Sequence, residues 1–498
     1  MKTVLRRVFA AIFMLTVTFA PASSVCAQPE TEQAADGTQA TDEAQTANET
    51  GETEEERELS EIEIRKRESY STLPETNELA GWPQGPKVYA NSAIVMDMDS
   101  GTVLYGKKID DRHYPASITK LLTELIALEN ADMGDEVVFS QESIDILRSD
   151  YASIGMKPGE ILSMKDSMYA MLLASANEVS YAIAENVGEK MGGGYDTFIR
   201  EMNERSEQLG CTGSHWTNAN GLHDKEHYTT AHDMALITSA LYQYDEFQTI
   251  AQTLNYTIGA TNLVDEARTF QQHHKMLMPE NSNYYKYCTG GKTGYTDDAR
   301  STLVTTADNG TLRLVAVVLR DDGDVYEDTR AMLDYAFDSF SKQILREQEI
   351  PDEISFYNNA ESYVLLPSGI SVSDLEYEIE VKDEKEAFGE ITFYYSGQEV
   401  GSASATLTPE YVEEATGYTT RLRLVDDEQP GAEDGAKKGS FLIPGRRLLV
   451  VAGGVVLFVA ALTIIVYRYR AAKSGRLRKA KRRKRQQRKT KNHGAGFE

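Results

Sequence analysis

The chain has 498 residues and a hydrophobic share of 41%, which suits two or three globular domains with buried cores. With only three cysteines it is not a disulfide-stapled scaffold, so its stability must come mainly from those cores. The net charge of −27 is unevenly spread: residues 28–80 carry sixteen acids against four bases, whereas residues 468–498 carry fourteen Lys or Arg and one acid.

Residues 1–27 have the three parts of a secretory signal peptide. Basic side chains at positions 2, 6 and 7 precede an apolar run over 8–19, and Val25-Cys26-Ala27 forms the expected cleavage site. A lipid-anchored Cys26 is the alternative, but Val25 stands where lipoprotein signals generally need a small residue. The mature chain is therefore expected to begin near Gln28 and to lie outside the cytoplasm.

The acidic segment 28–80 is rich in Glu, Thr, Gln and Ala and has few large apolar side chains. Such a composition cannot bury enough surface to offset the entropy lost on ordering. The segment is predicted to be a disordered linker.

A mixed α/β domain, of the α+β type, is predicted over 81–345. Two apolar runs surround Asp99-Ser100-Gly101 and predict a hairpin, and 301–320 predicts a second hairpin turning at Asn309-Gly310. Helical periodicity lies between these hairpins, over residues 117–130, 164–185, 195–209 and 230–244. This order predicts a sheet formed by the N- and C-terminal segments of the domain, with an inserted helical region.

Short alternating strands over 350–425 predict a separate small all-β domain, followed by a linker at 426–447. Residues 448–467 are twenty uncharged residues, which matches the roughly 30 Å thickness of the bilayer core, so they are predicted to be a transmembrane helix. The basic tail 468–498 predicts a cytoplasmic end. Anionic lipid headgroups beside the span are sufficient partners for the tail, and no nucleic-acid partner is expected.

Three short motifs follow one another in the first domain. They are Ser117-Ile118-Thr119-Lys120, Ser175-Ala176-Asn177 and Lys292-Thr293-Gly294. Each motif alone is a weak signal, because Ser339 and Lys342 repeat the Ser-x-x-Lys spacing with no other motif of the set around them. Together, in this order, they match the motif set of penicillin-binding proteins and β-lactamases.

The first motif has a physical rationale as a nucleophile and its base. A serine hydroxyl needs an adjacent base at neutral pH, and Lys120 lies one helical turn after Ser117 on the same face. Lys120 can act as a base only if its pKa falls far below about 10.4, through burial and a nearby positive charge. The strongly apolar helix and Lys292 are expected to supply these two conditions.

Longer segments extend the likeness. "YPASITKLLTELIALE", "MLLASANEVSYAIAE" and "CTGGKTGYTDDARSTLVTTA" resemble blocks of the serine-type D-alanyl-D-alanine carboxypeptidases, the low-molecular-weight penicillin-binding proteins. The resemblance covers most of residues 88–320 and implies a β-lactamase/transpeptidase-like fold. One departure is Ala299-Arg300, where relatives commonly carry Ala-Gly, so the strand beside the site is expected to be altered.

The resemblance also assigns roles. Ser117 is the expected nucleophile, Lys120 its base and Ser175 the proton relay to the leaving amine. Asn177 is expected to orient the peptide. Lys292 and Thr293 would bind the substrate carboxylate, Gly294 would allow close approach, and the backbone N–H groups of Ser117 and Tyr295 would form the oxyanion hole.

A zinc site built from histidines is disfavoured by the sequence. His223 and His227 are four residues apart, but no Glu follows the first, as a His-Glu-x-x-His zinc peptidase requires. No metal or other cofactor is expected. Whether Cys211 and Cys288 pair cannot be read from their spacing.

The predicted function is removal of the terminal D-Ala from peptidoglycan stem pentapeptides through an acyl-enzyme on Ser117, with β-lactams as inhibitors that acylate the same serine. A serine β-lactamase is one alternative, although no Glu stands four residues before any Asn between Ser175 and Lys292. A non-catalytic wall-binding scaffold is the other. The predicted location is the cell membrane, with the catalytic domain outside.

Overall fold

The computed structural model describes residues 60–418. The predicted signal peptide 1–27, the linker 426–447, the span 448–467 and the tail 468–498 lie outside the described residues. Within residues 60–418, no helix is both long enough and apolar enough to cross a bilayer.

Ten α-helices can be numbered in the described part of the chain: α1 Glu61–Ser71, α2 Lys120–Asn130, α3 Gln141–Asp145, α4 Met164–Leu173, α5 Asn177–Lys190, α6 Tyr195–Gln208, α7 Ala231–Leu241, α8 Asp245–Ala251, α9 Val325–Ser339 and α10 Pro409–Thr416. The same residues form fifteen strands: β1 Ala90–Asp97, β2 Val103–Lys107, β3 Glu136–Val138, β4 Ile161–Ser163, β5 Asn255–Ile258, β6 Arg268–Gln271, β7 Cys288–Thr296, β8 Arg300–Asp308, β9 Arg313–Asp321, β10 Phe340–Ile344, β11 Ile354–Tyr357, β12 Tyr363–Pro367, β13 Glu376–Asp383, β14 Phe388–Tyr395 and β15 Gln398–Leu407.

The central sheet has five antiparallel strands in the order β2-β1-β9-β8-β7. Both predicted hairpins are present, and the helices from α2 to α8 are inserted between β2 and β7. Ile94 and Met96 of β1 pack in one hydrophobic cluster, and Ala93 and Val95 in another. A sheet covered on both faces explains why its strands read as nearly continuous apolar runs.

The predicted helix 164–185 is wrong in its continuity. Helix α4 ends at Leu173 and α5 begins at Asn177, and between them Ser175 has a left-handed φ of 57°. Loop contacts stabilise the start of α5, because the Glu178 carboxylate accepts hydrogen bonds from Ser153 Oγ and Ile154 N, both at 2.7 Å. Tertiary contacts thus break a segment whose residues have no Gly or Pro to signal the break.

Residues 28–59 of the predicted disordered linker lie outside the described residues, and the prediction is wrong for residues 60–80. Residues 61–71 form α1, which begins with a capping box between Ser60 and Glu63. Arg65 pairs with Asp322 at 2.9 Å, and the buried Lys107 Nζ donates to the Ser69 carbonyl at 2.7 Å. Composition missed this helix because polar contacts to the domain, instead of a large apolar face, hold it.

The segment predicted as a separate all-β domain forms a four-stranded sheet, β11-β15-β14-β13, but a separate domain is not confirmed. It ends in the helix α10, and its buried Phe393 belongs to the same hydrophobic cluster as Trp82 and Phe340 of the preceding region. The Tyr363 hydroxyl also donates to the Asp97 carboxylate at 2.6 Å. The core therefore continues across the predicted boundary.

Candidate active site

Ser117 and Lys120 lie at the start of the buried helix α2. A 3₁₀ turn, Ala116–Thr119, leads into the helix, so Lys120 stands one turn beyond Ser117. Lys120 is fully buried, and its Nζ donates to Ser117 Oγ at 3.0 Å. The hydroxyl and the amine are therefore within hydrogen-bond distance of each other.

Two further acceptors fix the Lys120 amine. Its Nζ donates to Asn177 Oδ1 at 2.8 Å and to the Asn220 carbonyl at 2.6 Å. The second motif thus contacts the first through Asn177. Asn220 was missed as a site residue, because Asn220-Gly221 gives only a turn signal in the sequence.

The environment of Lys120 lowers its pKa well below the ordinary value. Burial is the main cause, and the positive charge of Lys292 adds to it, whereas Glu178 opposes it. Burial also lowers the pKa of Lys292, to about 7. Both conditions expected from the sequence are present, and the neutral form of Lys120 can accept a proton.

Ser175 lies beside the same cleft in a strained conformation. It is nearly buried, its φ of 57° lies in the left-handed region, and its side chain lines the cavity that Ser117 and Asn177 also line. Among the described residues, the hydrogen-bond partners of Lys120 Nζ are Ser117, Asn177 and Asn220, and Ser175 is not one of them. Its position suits a relay, but its role stays a prediction.

The third motif lies on β7, the edge strand of the central sheet. A Cβ added to Gly294 would clash with Thr302 Oγ1 and would lie 3.0 Å from the Ser117 backbone nitrogen and 3.1 Å from the Pro115 carbonyl oxygen. The two backbone distances are shorter than nine in ten Cβ contacts, so glycine lets the strand lie this close to the serine turn without displacing either backbone atom. Gly294 therefore allows the short distance between β7 and the turn that holds Ser117.

The residues on either side of Gly294 differ in exposure. Lys292 is buried, and its Nζ donates to the Thr293 carbonyl at 2.9 Å. Thr293 and Tyr295 line the cleft, and Tyr295 is 61% exposed. Strand β7 therefore offers the Thr293 side chain, a backbone edge and the Tyr295 ring to a ligand, and the Lys292 amine is buried next to them.

The cleft has a volume of about 660 Å³. Every predicted site residue lines it except Lys120 and Lys292, which are buried. Sequence reasoning missed several further lining residues: Arg148, Asp150, Tyr151, Ala152, Leu222, His223, His273, Asp297 and Asp298. They come from separate loops, so only the fold brings them together.

His227, one of the two histidines spaced four residues apart, has a structural role. His227 is buried, with Nδ1 accepting from Thr217 N at 3.1 Å and Nε2 lying 2.9 Å from Thr119 Oγ1, so both ring nitrogens are used structurally. Burial lowers its pKa to about 3. Among the described residues, no group of three or more His, Cys, Asp or Glu side chains could hold a metal.

The second Ser-x-x-Lys pair does not form a site. Ser339 ends α9 and Lys342 lies in β10, where its Nζ is 3.6 Å from the centre of the Tyr363 ring. Arg300, the departure from the family pattern, has a left-handed φ of 59° and remains paired with Thr296 in the β7–β8 ladder. Its guanidinium lies 3.7 Å from the Asp322 carboxylate.

Cys211 and Cys288 are free thiols.

Comparisons with known proteins give one consistent family. The model of the D-alanyl-D-alanine carboxypeptidase family matches residues 80–323. The chain is 28% identical over 312 residues to the D-alanyl-D-alanine carboxypeptidase DacF of Bacillus subtilis, covering 59% of this chain and 77% of the relative.

A second relative is more similar in sequence. The chain is 31% identical over 266 residues to the D-alanyl-D-alanine carboxypeptidase DacB2 of Mycobacterium tuberculosis, covering 51% of this chain and 84% of the relative. A crystal structure of a D-alanyl-D-alanine carboxypeptidase from the same organism is 30% identical, with a TM-score of 0.46, and covers 52% of this chain and 95% of that one.

Proposed function

The chain belongs to the serine-type D-alanyl-D-alanine carboxypeptidases, the low-molecular-weight penicillin-binding proteins, and we propose that Ser117 is its nucleophile. It is a hydrolase that acts on the D-Ala-D-Ala end of peptidoglycan stem peptides and binds β-lactams. The observation that carries the assignment of Ser117 is its hydrogen bond to a buried lysine whose pKa is lowered.

Acylation begins when Ser117 Oγ attacks the carbonyl carbon of the penultimate D-Ala. The new C–O bond forms as the hydroxyl proton passes to Lys120 Nζ, 3.0 Å away, and the carbonyl π electrons move onto oxygen. The C–N bond then breaks, and the proton returns through the Ser175 hydroxyl to the leaving nitrogen. The terminal D-Ala leaves, and water hydrolyses the Ser117 ester with Lys120 again as the base.

The oxyanion is stabilised by the backbone N–H groups of Ser117 and Tyr295. The close approach of Gly294 to Ser117 supports this assignment, because it brings the strand residue Tyr295 next to the serine turn. Donors fixed by a turn and a strand need little reorganisation as charge develops on the oxygen.

The terminal carboxylate of the substrate is assigned to Lys292 and Thr293. Burial lowers the pKa of Lys292 to about 7 in the free site, and an arriving carboxylate favours its protonated form. Thr293 lines the cleft, and its hydroxyl is a donor for the same group. A free C-terminus is thereby distinguished from an internal peptide bond.

The assignment of the nucleophile is tested with the full-length protein and a pentapeptide ending in D-Ala-D-Ala. Ser117→Ala should abolish both D-Ala release and covalent labelling by fluorescent penicillin. The matched control is Ser339→Ala, which removes the other serine of Ser-x-x-Lys spacing and should leave both intact. Labelling retained by Ser117→Ala would refute the assignment, and rapid hydrolysis of penicillin by the unaltered protein would favour a β-lactamase.

The cellular location is a separate proposal that rests on sequence alone. A cleaved signal at 1–27, a span at 448–467 and a basic tail at 468–498 would place the catalytic domain outside the membrane, with the tail near anionic headgroups. Protease added to intact, wall-stripped cells should digest the catalytic domain and leave a C-terminal tag protected. Protection of the catalytic domain would contradict this topology.

A further inference from the structure

A second cavity, of about 260 Å³, adjoins the catalytic cleft and is lined by three cations. They are Arg112, Lys225 and Arg320, which come from three separate segments of the chain. Asp298 is the one acid among its lining residues, in a protein whose net charge is −27. We refer to this cavity as the cationic pocket.

The three cations lack acidic partners within the described residues. None of them forms an ion pair in the part of the chain from 60 to 418, and the contact of the Arg112 guanidinium is with the Tyr228 ring, 4.8 Å from its centre. Arg320 lowers the pKa of the neighbouring His113, although burial is the larger cause. The pocket therefore concentrates positive charge that no carboxylate of the described residues neutralises through an ion pair.

One wall separates this pocket from the catalytic cleft. Asp298 lines both cavities, and its carboxylate lies 3.5 Å from His223 Nδ1. The His223 ring, which lines the cleft, packs edge-on against Tyr114, which lines the pocket, with 4.6 Å between ring centres. Tyr114 is three residues before Ser117, so the pocket is a neighbour of the reacting centre.

The proposed binding direction leads a substrate towards this pocket. If the terminal carboxylate lies at Lys292 and Thr293 and the scissile carbonyl at Tyr295, the preceding peptide continues past Thr296 towards Asp298. An edge strand can pair with an extended peptide that follows it. At about 3.3 Å per residue, two or three extended residues of a bound peptide span roughly 7–10 Å.

We propose that the cationic pocket is a substrate subsite for a carboxylate carried by the stem peptide two or three residues before its D-Ala-D-Ala end. This inference rests on the proposed function, because it needs the peptide to lie along β7. A carboxylate there would complete charge-assisted hydrogen bonds with the Arg112 and Arg320 guanidinium groups and the Lys225 ammonium group. The subsite would select stem peptides over other peptides that end in D-Ala-D-Ala.

The test compares two synthetic peptides on the full-length protein. Both end in Lys(acetyl)-D-Ala-D-Ala, and the preceding residue is γ-linked Glu in one, with its α-carboxylate free, and the corresponding α-amide in the other. The unaltered protein should show a KM about 10-fold lower for the carboxylate peptide, with a similar kcat. Equal KM values for the two peptides would overturn the subsite.

The variant Arg112→Gln/Lys225→Gln/Arg320→Gln should remove this preference and leave the KM of the amide peptide unchanged. A control with the same change in charge is Arg67→Gln/Lys165→Gln/Lys385→Gln, because these cations are exposed and line neither cavity. It should keep the preference. Preference lost in both variants would show a general charge effect and overturn the proposal.

Fluorescent penicillin labelling separates failure of the subsite from failure of the proposed function. The pocket variant should label at the unaltered rate, since the catalytic groups remain. Absence of labelling and of D-Ala release in the unaltered protein would refute the function, and the subsite with it. Normal labelling and release without discrimination between the peptides would refute the subsite alone.

Discussion

The Lys120 amine donates to the Asn177 side-chain oxygen over 2.8 Å, although 57 residues separate the two in the chain. This bond joins the Ser-x-x-Lys motif to the Ser-Ala-Asn motif inside a buried site. When burial has lowered its pKa and the amine is neutral, Lys120 Nζ donates to Asn177 and the Asn220 carbonyl, and its lone pair accepts the Ser117 hydroxyl 3.0 Å away. The relationship between these two residues explains why the base is fixed next to Ser117.

The first prediction concerns the pH dependence of kcat/KM, which reports the free enzyme. Lys120 must be neutral to accept a proton, so activity should be lost as the pH falls through its lowered pKa. Lys292 must be charged to bind the carboxylate, so activity should also be lost as the pH rises above about 7. A bell-shaped profile is expected.

Lys292→Gln tests the coupling between the two lysines. Without the Lys292 charge, the pKa of Lys120 should rise, and the acid limb of the profile should move to higher pH. The KM for the peptide should increase as well, because the carboxylate loses its cation. An acid limb that does not move would contradict the electrostatic role of Lys292.

A second prediction is that Lys120→Arg inactivates the enzyme. Arginine remains protonated at all accessible pH values and cannot take the Ser117 proton. Turnover should fall by at least about 1,000-fold, in line with the upper range for losing a general base. Activity within 10-fold of the unaltered protein would rule out Lys120 as the base. The matched control is Lys342→Arg, which alters the other lysine of the same spacing and should leave activity unchanged.

Gly294→Ala provides a third prediction. The new Cβ would clash with Thr302 Oγ1, which donates to the Pro115 carbonyl, and would press on the Ser117 backbone nitrogen, a proposed oxyanion donor. Loss of one such donor typically costs about 100- to 1,000-fold in rate, so kcat should fall by that order. Steady-state kinetics and penicillin acylation rates would measure the change.

Gly310→Ala is the control for backbone strain. Gly310 has a φ of 87° in the β8–β9 turn, and a Cβ there would meet nothing within 4 Å. This change should cost roughly 1–2 kcal/mol of stability without slowing catalysis. Equal losses of rate in the two variants would show that the effect of Gly294→Ala comes from folding instead of from the site.

Ser175→Ala tests the proton relay. If Ser175 passes the proton to the leaving amine, kcat should fall by about 100-fold or more while KM changes little. Ser180→Ala is a control from the same region, because the Ser180 hydroxyl donates to the Ala176 carbonyl inside α5 and should not affect kcat. An unchanged kcat in Ser175→Ala would leave this serine a purely structural role in the turn.

A pair of buried carboxylates predicts how stability depends on pH. Burial is the main cause that raises the pKa of Asp321 to about 6 and that of Asp328 to about 8, and the charge of Asp321 raises the pKa of Asp328 further. The folded pair therefore retains protons that the unfolded chain releases above about pH 4. Its contribution to the free energy of unfolding falls as the pH rises from about 4 to about 8.

Asp328→Asn removes one titrating partner and should flatten this fall. Asp328 accepts hydrogen bonds from Tyr89 N at 2.6 Å and Ala90 N at 2.9 Å, which the Asn oxygen can still accept. Urea unfolding at pH 5 and pH 8 would measure the slope. A slope equal to that of the unaltered protein would show that the pair does not share its protons in the folded state.

Local sequence signals determined the strands, the hairpin turns and the candidate residues. Asn309-Gly310 between two apolar runs specifies a hairpin, since glycine tolerates the positive φ that the turn needs. The three motifs likewise named Ser117, Ser175 and Thr293 as candidates, each from its own short segment. These features depend on residues near one another in the chain, so they can be read without the fold.

The tertiary structure decided what depends on distant contacts. The break at Ser175 follows from loop contacts made by Glu178, and α1 is held by Arg65 and Lys107 through groups far away in sequence. The Asn220 carbonyl on Lys120 is a backbone contact that no side-chain pattern signals. The sequence alone thus named the reacting groups, whereas only the folded chain fixed the distances, burial and charges that set their pKa values and place the cationic pocket beside them.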